Sequence, residues 1–439
     1  MSDSGTTTTP ATLWRHRPFM ALWSGQTASQ IGSALTVLVL PLLAIEELGA
    51  GPQELGILRA MFAFAAIIAA APSGVMVDRA RKRHVMVGCD LVLAASLASV
   101  PVMAHYGVLT MPYLYVVAFV NGVFGMIYGI AYHAYVPRLV GRALLQDANS
   151  KIAATESAAR ISGPALGAAM AAWIGAALTL VLDAFTYLFS AVLTWFFTPP
   201  ERHQKRAADE PRPSMWVEAR DGVRVVFANP TLTQTALTTI GSMMALAMVD
   251  AVLIYYMVSV LDVSKGVLGA VFAIGEAGGL IAAALASKLM TTYGGARMMW
   301  IAAMMSPLAF LPLLATPATA PYLITVYIFC TAARFVTFDI AQYVYRQSAC
   351  PPEMFGRMTA SIRLGIAVSM VIGALLGGFF GDLYGPKFSL GAAAVVVCVA
   401  SLPVLFSPQL RRAKHIDELP GCDGEQTLGA AEREDAVSR

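Results

Sequence analysis

The sequence predicts an all-α membrane protein with twelve transmembrane helices in two six-helix repeats, and three observations lead to this prediction. Charge is scarce, apolar segments of membrane-spanning length follow one another along the chain, and short motifs recur at a constant separation. Of the 439 residues, 57% are hydrophobic and 13% are charged, whereas soluble proteins carry roughly 25% charged residues. About half of the usual charged surface is missing, so lipid is the expected solvent.

Twelve segments are long enough to cross a bilayer, which takes about 20 mostly apolar residues. Pro and Gly, which interrupt helices, stand at most of the boundaries, as in Asn229-Pro230 and Gly385-Pro386. The predicted helices cover residues 18–45, 55–78, 84–105, 112–136, 149–173, 175–198, 231–259, 265–290, 296–316, 321–346, 357–381 and 386–407.

The distribution of Lys and Arg predicts the orientation, because these residues favour cytoplasmic loops. Twelve crossings leave both termini on the same side of the membrane. With the termini in the cytoplasm, 24 of the 30 Lys and Arg residues fall in cytoplasmic segments, two fall outside and four lie within helices. We therefore predict cytoplasmic N and C termini.

Three short motifs of the first half recur in the second half at separations of 213, 209 and 210 residues. They are Leu55-Gly56 with Leu268-Gly269, Pro112-Tyr113-Leu114 with Pro321-Tyr322-Leu323, and Gly163 to Gly167 with Gly373 to Gly377. Their agreement on one period indicates a duplicated six-helix unit. Parallel repeats of this kind predict a binding site near the membrane midplane between the two halves.

These patterns divide the chain into five parts. Residues 1–17 are a cytoplasmic N-terminus, 18–198 and 231–407 are the two helix bundles, and 199–230 link them. Within the linker, Trp216, Val217, Val223 and Phe227 fall on one side of a helix, which suits a helix lying on the inner membrane surface. Residues 408–439 turn polar, which predicts a disordered cytoplasmic tail.

The charged run between the second and third helices carries a family resemblance. Gly74-x-x-x-Asp78-Arg79-x-x-Lys82-Arg83 resembles the signature loop of the major facilitator superfamily, which implies that family's fold over residues 14–410. Other motifs resemble a branch of bacterial exporters of siderophores, macrolides and drugs, which implies a monomer spanning the bacterial inner membrane. These motifs are Trp23 to Gly32, Pro137-Arg138-Leu139, Ala148-Asn149, Asn229-Pro230 and Gly356-Arg357, the last expected to open helix eleven.

The resemblance implies that Gly74, Asp78, Arg79, Lys82 and Arg83 form a conformational latch. Asp78 ends helix two, where it can pair with Arg83 or with the N-terminus of a neighbouring helix in one of two states. The alternative is a plain positively charged anchor. The corresponding turn of the second half, residues 287–297, lacks the acid and the basic cluster, which favours the latch.

Helix five carries Gly163-Pro164-x-x-Gly167, which resembles a motif associated with exporters rather than importers. Its glycines permit close helix packing, and Pro164 can bend the helix. Two departures from the family pattern stand out. Arg81 replaces the usual Gly of the loop, and helix four has no membrane-embedded Arg of the kind linked to proton coupling.

Ionisable residues within membrane helices are candidates for function, because a charge at the midplane costs at least ~2.5 kcal/mol. Glu276 and Asp250 are the first candidates for proton coupling, followed by Asp339 and Glu156. We also predict a Glu276–Arg334 pair. Glu156 and Arg160 are four residues apart, and they make either a structural ion pair or part of the cavity. Asp183 is interpreted as structural.

Polar side chains on the predicted cavity helices are candidates for substrate contact, although each could instead serve packing. In an apolar cavity a few polar groups set specificity. The candidates are Gln26, Gln30, Asn121, Tyr128, Arg160, Arg334 and Tyr327.

The sequence lacks a P-loop, a Gly-x-Ser-x-Gly elbow and a His-Glu-x-x-His pair, so neither an enzyme nor a cofactor or metal site is predicted. We predict a secondary transporter that exports a small amphipathic molecule in exchange for protons, with the lipid bilayer and no nucleic acid as partner. Import or uniport by the same fold is one alternative. A non-transporting sensor or a membrane-embedded enzyme is another.

Overall fold

A computed structural model describes residues 12–199 and 215–419, which contain helices and no strands. The all-α prediction is confirmed. The helices of the first half are α1 (Arg17–Leu48), α2 (Pro52–Arg79), α3 (Lys82–His105), α4 (Met111–Ile174) and α5 (Ala176–Phe197). Those of the second half are α6 (Met215–Ala228), α7 (Pro230–Tyr255), α8 (Lys265–Tyr293), α9 (Gly295–Met304), α10 (Ala320–Ala349), α11 (Pro352–Leu383), α12 (Pro386–Leu405) and α13 (Pro408–Arg412).

Helix boundaries follow local chemistry. α2, α7 and α12 begin at Pro52, Pro230 and Pro386, because proline suits the first helical position, where no N–H donor is needed. The Asn229 side chain accepts from the backbone N–H groups of Thr231 (2.9 Å) and Leu232 (3.2 Å) and so caps α7. α11 starts at Pro352, so the prediction that Gly356-Arg357 opens this helix is wrong by about one turn.

The predicted fourth and fifth helices meet at a kink within α4 (Met111–Ile174). The kink is at Gly141, whose φ of 71° is not helical and is one that only glycine adopts readily. Among the described residues, eleven helical stretches are long and apolar enough to cross a membrane, and Met111–Gly141 is one of them. Residues 142–174 include positions 142, 160 and 161, whose side chains lie outside the described residues, so the eleven stretches do not test this segment. The count of twelve stays a prediction.

The ninth predicted helix changes its winding part-way. α9 ends at Met304, and Ser306–Leu314 continues as a 3₁₀-helix that contains Pro307 and Pro312. Proline removes backbone donors, so regular α-helical bonding cannot continue through this segment.

The glycine motifs of the repeat occupy equivalent packing positions. A β-carbon at Gly163 of α4 would collide with Ala34 of α1, and one at Gly373 of α11 would collide with the backbone oxygen of Met244 of α7. Both the glycines and the residues they approach are 210 positions apart. The internal repeat predicted from sequence therefore corresponds to the same close helix contact made twice.

Internal contacts divide the chain into two compact units. The first unit comprises Met1–Gly49 and Ala65–Arg206, and the second unit comprises Ala50–Phe64 and Ala207–Arg439. The predicted bundles placed all of helix two in the first half. Its opening residues belong instead to the second unit, because a β-carbon at Gly56 would lie 2.6 Å from the backbone oxygen of Ala374 on α11.

Segments flanking the second bundle are also ordered in part. The tail after Pro408 forms α13 and a short 3₁₀ turn, with Leu410, Ile416 and Leu419 buried, so residues 408–419 are not disordered. Backbone N–H groups of Lys414 and His415 hold the pKa of the Glu418 carboxyl below its usual value. The rest of the predicted tail and residues 200–214 lie outside the described residues.

The linker helix α6 packs on α11. A β-carbon at Gly222 would collide with the backbone of Arg357, so glycine permits this contact. On the other side, Val223 and Phe227 are exposed, as expected for a helix facing a membrane surface. The side chains of Trp216 and Val217, which were predicted to share that side, lie outside the described residues.

Candidate functional site

The charged turn is shorter than the sequence predicts. Only Ala80 and Arg81 lie between α2 and α3, whereas the predicted helices leave residues 79–83 between them. The Ala80 N–H still donates to the Met76 oxygen (3.0 Å), and the Val85 N–H donates to the Arg81 oxygen (3.1 Å). Arg81 has a φ of −74°, a conformation open to any residue, so this turn does not require the glycine of the family loop.

Lys82 and Arg83 bind carbonyl groups at helix ends within the first unit. The Lys82 side chain is 2% exposed, and its Nζ donates to the Val77 oxygen (3.4 Å) near the end of α2. Arg83 donates from Nη2 to the carbonyl of Trp195 near the end of α5, and its guanidinium lies 4.8 Å from the centre of the Trp195 ring. Both cations therefore meet the negative end of a helix.

The latch itself stays a prediction. Gly74 and the side chains of Asp78 and Arg79 lie outside the described residues. The contact between Arg83 and Trp195 shows that one predicted latch residue serves a second purpose, which is to join the start of α3 to the end of α5.

The polar candidates of the first unit have different surroundings. Tyr128 is buried, with its hydroxyl 3.5 Å from that of Ser190 on α5. Gln26 is also buried, and its Oε1 accepts no hydrogen bond from the described residues. Asn121 donates to the Ser96 hydroxyl (2.9 Å), which joins α4 to α3. Gln30 is half-buried.

Asp183 of α5 is a fully buried acid with hydrogen-bond partners. Its carboxylate accepts from the hydroxyl of Thr36 on α1 and from that of Thr186 (3.1 Å). Gly32 of α1 leaves room for it, because a β-carbon there would collide with the carboxylate. Satisfied acceptors at a helix contact suit the structural role inferred from sequence.

Asp90 of α3 is the buried acid that sequence reasoning missed. It is 1% exposed, and neither carboxyl oxygen accepts a well-formed hydrogen bond from the described residues. The Ser190 side chain interacts with it. The available signal was a single acid inside the otherwise apolar run from Val85 to Val100.

Glu156 lies exposed on α4, at the other end of a row of tyrosines. It interacts electrostatically with Tyr132, whose ring stacks on that of Tyr128 at a centroid distance of 6.1 Å. The side chain of Arg160 lies outside the described residues, so the Glu156–Arg160 pair stays a prediction. Pro164 of the exporter-like motif lies within α4, and Gly167 approaches Leu35 of α1.

The second unit contains an ion pair that the sequence did not predict. Nη2 of Arg59, in the opening part of α2, lies 2.7 Å from Oδ2 of Asp250 on α7, and about a third of each side chain is exposed. Arg59 had been counted only as a charge within a helix. Asp250, a candidate for proton coupling, thus has a cationic partner in the same unit.

Arg334 of α10 is a buried cation, 7% exposed. Its described interactions are electrostatic, with Tyr327 on the same helix and with Cys398 of α12. Tyr327 also interacts with Asp250. Glu276 on α8 is half-buried and has interactions of its own. The Glu276–Arg334 pair stays a prediction.

Asp339 belongs to a hydrogen-bond network on α10. Its Oδ1 accepts from Gln342 Nε2 (2.9 Å), while Gln342 Oε1 accepts from Arg346 Nη2 (2.7 Å) and from the Thr239 hydroxyl on α7 (2.7 Å). Asp339 itself is exposed. The described residues contain no group of three His, Cys, Asp or Glu side chains that could hold a metal ion.

In each unit the site residues are charged groups and hydroxyls inside largely apolar helices, an arrangement that suits recognition and ion binding. The profile of the Major Facilitator Superfamily matches residues 22–362 and, in a second match, residues 235–421. The chain belongs to the Major Facilitator Superfamily. Its members with this fold are membrane transporters, and this chain is a multi-pass member.

Relatives of this transporter include drug-efflux proteins. The multidrug efflux pump Tap of Mycolicibacterium fortuitum is 26% identical over 412 residues, which cover 90% of this chain and 95% of Tap. Macrolide efflux protein A of Streptococcus pyogenes is 21% identical over 406 residues, which cover 91% of this chain and 97% of that protein. The uncharacterized MFS-type transporter YfiS of Bacillus subtilis is 22% identical, with 90% and 94% covered.

Solved structures share the transporter fold at low sequence identity. The nucleoside transporter NupG superposes with a TM-score of 0.71 at 13% identity, covering 90% of this chain and all of that one. A bacterial homologue of the iron transporter ferroportin, in its inward-facing state, superposes with a TM-score of 0.72 at 14% identity, covering 90% and 98%.

Proposed function

We propose that this transporter exports a small amphipathic molecule across the bacterial inner membrane in exchange for protons, by alternating access. The observation that carries the proposal is the set of ionisable side chains inside both helical units. Ionisable groups are costly in a membrane and mark substrate or ion pathways. Arg334 is the clearest case in the second unit, because it is 7% exposed and has no acid among its described interactions.

The direction of transport rests on relatives and on one motif. Two relatives that match more than 90% of their own length are named as efflux proteins. The Gly163–Gly167 segment, which resembles an exporter motif, makes the close contact with α1 that such glycines permit. Both observations favour export over uptake.

The substrate class follows from the groups that would meet it. Arg334 offers a cation and Tyr327 a phenol inside otherwise apolar helices, a combination that suits a largely apolar molecule with a few polar groups. Glu276 is the proposed proton-coupling group of the second unit, because it lies within α8 among mainly apolar residues, where an ionisable group is costly.

Inside-out membrane vesicles test this function. Ethidium and radiolabelled erythromycin serve as probes, and respiration acidifies the vesicle interior. We expect the wild-type protein to concentrate at least one probe, and an uncoupler to release it. Vesicles carrying Glu276→Gln at equal protein level should lose accumulation by at least about tenfold, equivalent to about 1.4 kcal/mol.

Right-side-out vesicles provide the opposing measurement. Accumulation there, driven by an inward proton gradient, would establish uptake instead of export. Transport that an uncoupler leaves unchanged would show that the proton gradient does not drive export. Vesicles without the protein control for passive entry of both probes.

A further inference from the structure

Asp90 is a buried acid to which the proposed function gives no role. Its carboxyl group lies inside the first unit, on α3, and 1% of the residue is exposed. Neither oxygen accepts a well-formed hydrogen bond from the described residues. In this respect it differs from Asp183, which is equally buried but accepts from Thr36 and Thr186.

Among the described residues, the groups that interact with Asp90 are uncharged hydroxyls and a thiol. Tyr128 interacts with it from α4 and Tyr187 and Ser190 from α5, while Cys89 precedes it on α3. On the far side of Ser190, α1 closes the packing, because a β-carbon at Gly25 would lie 3.0 Å from the Ser190 Cα. Asp90 forms no ion pair with any Lys or Arg that the structure describes.

An acid in such surroundings is most stable with a proton on it. A carboxylate without donors or a counter-ion is costly to bury, and such groups usually become neutral instead. A small movement of the nearby side chains would bring their hydroxyls, whose hydrogens rotate to suit a partner, within reach of the carboxylate once the proton leaves. The same pocket can therefore hold the neutral acid and, after rearrangement, the ion.

A series of interacting side chains extends from this acid toward the exposed Glu156. Tyr128 faces Asp90, Tyr132 stacks on Tyr128, and Tyr132 interacts with the exposed Glu156. The Tyr132 hydroxyl has no hydrogen-bond partner among the described residues, so it is free to join such a series.

We propose that Asp90 is a proton-binding site within the first unit, and that it carries a proton coupled to transport. The carboxylate takes one proton from water on one side of the membrane and returns it to water on the other. This inference rests on the proposed proton-coupled export and adds to it a coupling group outside the second unit.

Infrared spectroscopy of the purified full-length protein tests proton binding without a substrate. The carbonyl band of a neutral carboxylic acid is measured from about pH 5 to about pH 9, a range that brackets strongly shifted acids. We expect the difference spectrum, wild type minus Asp90→Asn, to contain such a band, and we expect the band to disappear as the pH rises. No band at any pH, or a band that does not change, would overturn the proposal.

Transport by the same variants separates coupling from packing. Asp90→Asn should lose ethidium accumulation in inside-out vesicles by at least about tenfold, the equivalent of about 1.4 kcal/mol, while exchange of ethidium without a gradient stays within about twofold. Asp90→Glu, which keeps the titrating group, should recover driven accumulation. Asp183→Asn is the matched control for losing a buried acid, and it should slow both activities together.

Four outcomes are distinguishable. Driven accumulation that survives in Asp90→Asn rejects the proton site and leaves the proposed function standing. Loss of exchange as well, in a variant that elutes as a folded protein, assigns Asp90 to packing and rejects the site. If Asp90→Asn does not fold, a shifted carboxyl band in Asp90→Glu decides the question. Failure of the wild-type protein to respond to a proton gradient rejects the proposed function itself.

Discussion

Among single residues, Arg59 and Asp250 form an ion pair within the second unit. The two side chains lie 2.7 Å apart and are each about a third exposed, so their contribution to stability is about 1 kcal/mol or less. We expect Asp250→Asn and Arg59→Gln each to slow driven ethidium export several-fold, because each leaves the partner's charge unpaired.

Reversal of the pair is the decisive experiment. The double variant Arg59→Asp with Asp250→Arg restores opposite charges, and we expect it to recover export to within about threefold of wild type, less than about 1 kcal/mol. Vesicle transport at matched protein level measures this. If the reversed pair stays as inactive as Asp250→Asn, the carboxyl at position 250 has a role beyond pairing.

Arg334 and Arg346 are buried cations on the same helix with different partners. Arg346 donates to Gln342, whereas Arg334 makes no hydrogen bond to the described residues. A buried charge without a counter-ion is costly, and an apolar side chain of similar size removes that cost. We expect Arg334→Met to melt at or above the wild-type temperature in detergent while losing export.

Arg346→Met is the matched control. It removes a donor from Gln342, so it should lower the melting temperature, as loss of a hydrogen bond to a charged group costs about 1.5–3 kcal/mol. Equal changes in melting temperature for the two variants would mean that Arg334 also stabilises the fold. That result would contradict the proposal that Arg334 serves substrate binding.

At the scale of helices, the repeated glycine contact allows a test of the duplicated architecture. Gly163→Ala and Gly373→Ala should each destabilise the protein by about 1–3 kcal/mol through overpacking. The obstructing atom differs, because it is the Ala34 side chain for Gly163 and the Met244 backbone oxygen for Gly373. We therefore expect Ala34→Gly to rescue Gly163→Ala in part, and Met244→Gly to leave Gly373→Ala unrescued. Thermal unfolding in detergent measures the single and double variants.

The elements show how far sequence reasoning reaches. Helix positions and the repeat were predictable, because apolar length and the 210-residue spacing are properties of linear order. The short turn at Ala80 and Arg81 was not predictable, because a run of charged residues is usually interpreted as a loop. Lys82 and Arg83 instead belong to α3, and their side chains donate to backbone carbonyls at the ends of other helices. Similarly, Leu410 and Ile416 order the start of a tail whose overall composition is polar.

For the whole molecule, topology is the property most in need of measurement. On a background in which Cys89, Cys330, Cys350, Cys398 and Cys422 are replaced, single cysteines report the side of the membrane. We expect a membrane-impermeant maleimide to label Tyr106→Cys and Trp173→Cys in intact cells, and Arg81→Cys only after the membrane is opened. All three residues are exposed in the structure.

Trp173 is the position that tests the count of twelve. It lies near the end of residues 142–174, the part of α4 that the eleven apolar spans leave untested. If residues 142–174 do not cross the membrane, Trp173→Cys will be labelled only after the membrane is opened, like Arg81→Cys. It will then not be labelled in intact cells, unlike Tyr106→Cys. Labelling of all three from outside would reject the predicted orientation altogether.

The candidate site could be predicted only in part, for a physical reason. Sequence rules identify ionisable residues in apolar runs, and so found Asp250, Glu276 and Arg334. They do not show which partner meets them, because partners such as Arg59 with Asp250 are 191 residues apart. Asp90 was overlooked although the same rule applies to it, and only the surroundings of its carboxyl distinguish it from a satisfied acid such as Asp183.

The contact between Arg83 and Trp195 also sets an order of events during synthesis. The two residues are 112 positions apart, and ribosomes add about 5–20 residues per second. For roughly 6–22 s after Arg83 is made, its carbonyl partner therefore does not exist. During that interval the guanidinium at the start of α3 must be satisfied by lipid headgroups or water. Completion of α5 then releases those groups and closes the first unit, before most of the second unit has been translated.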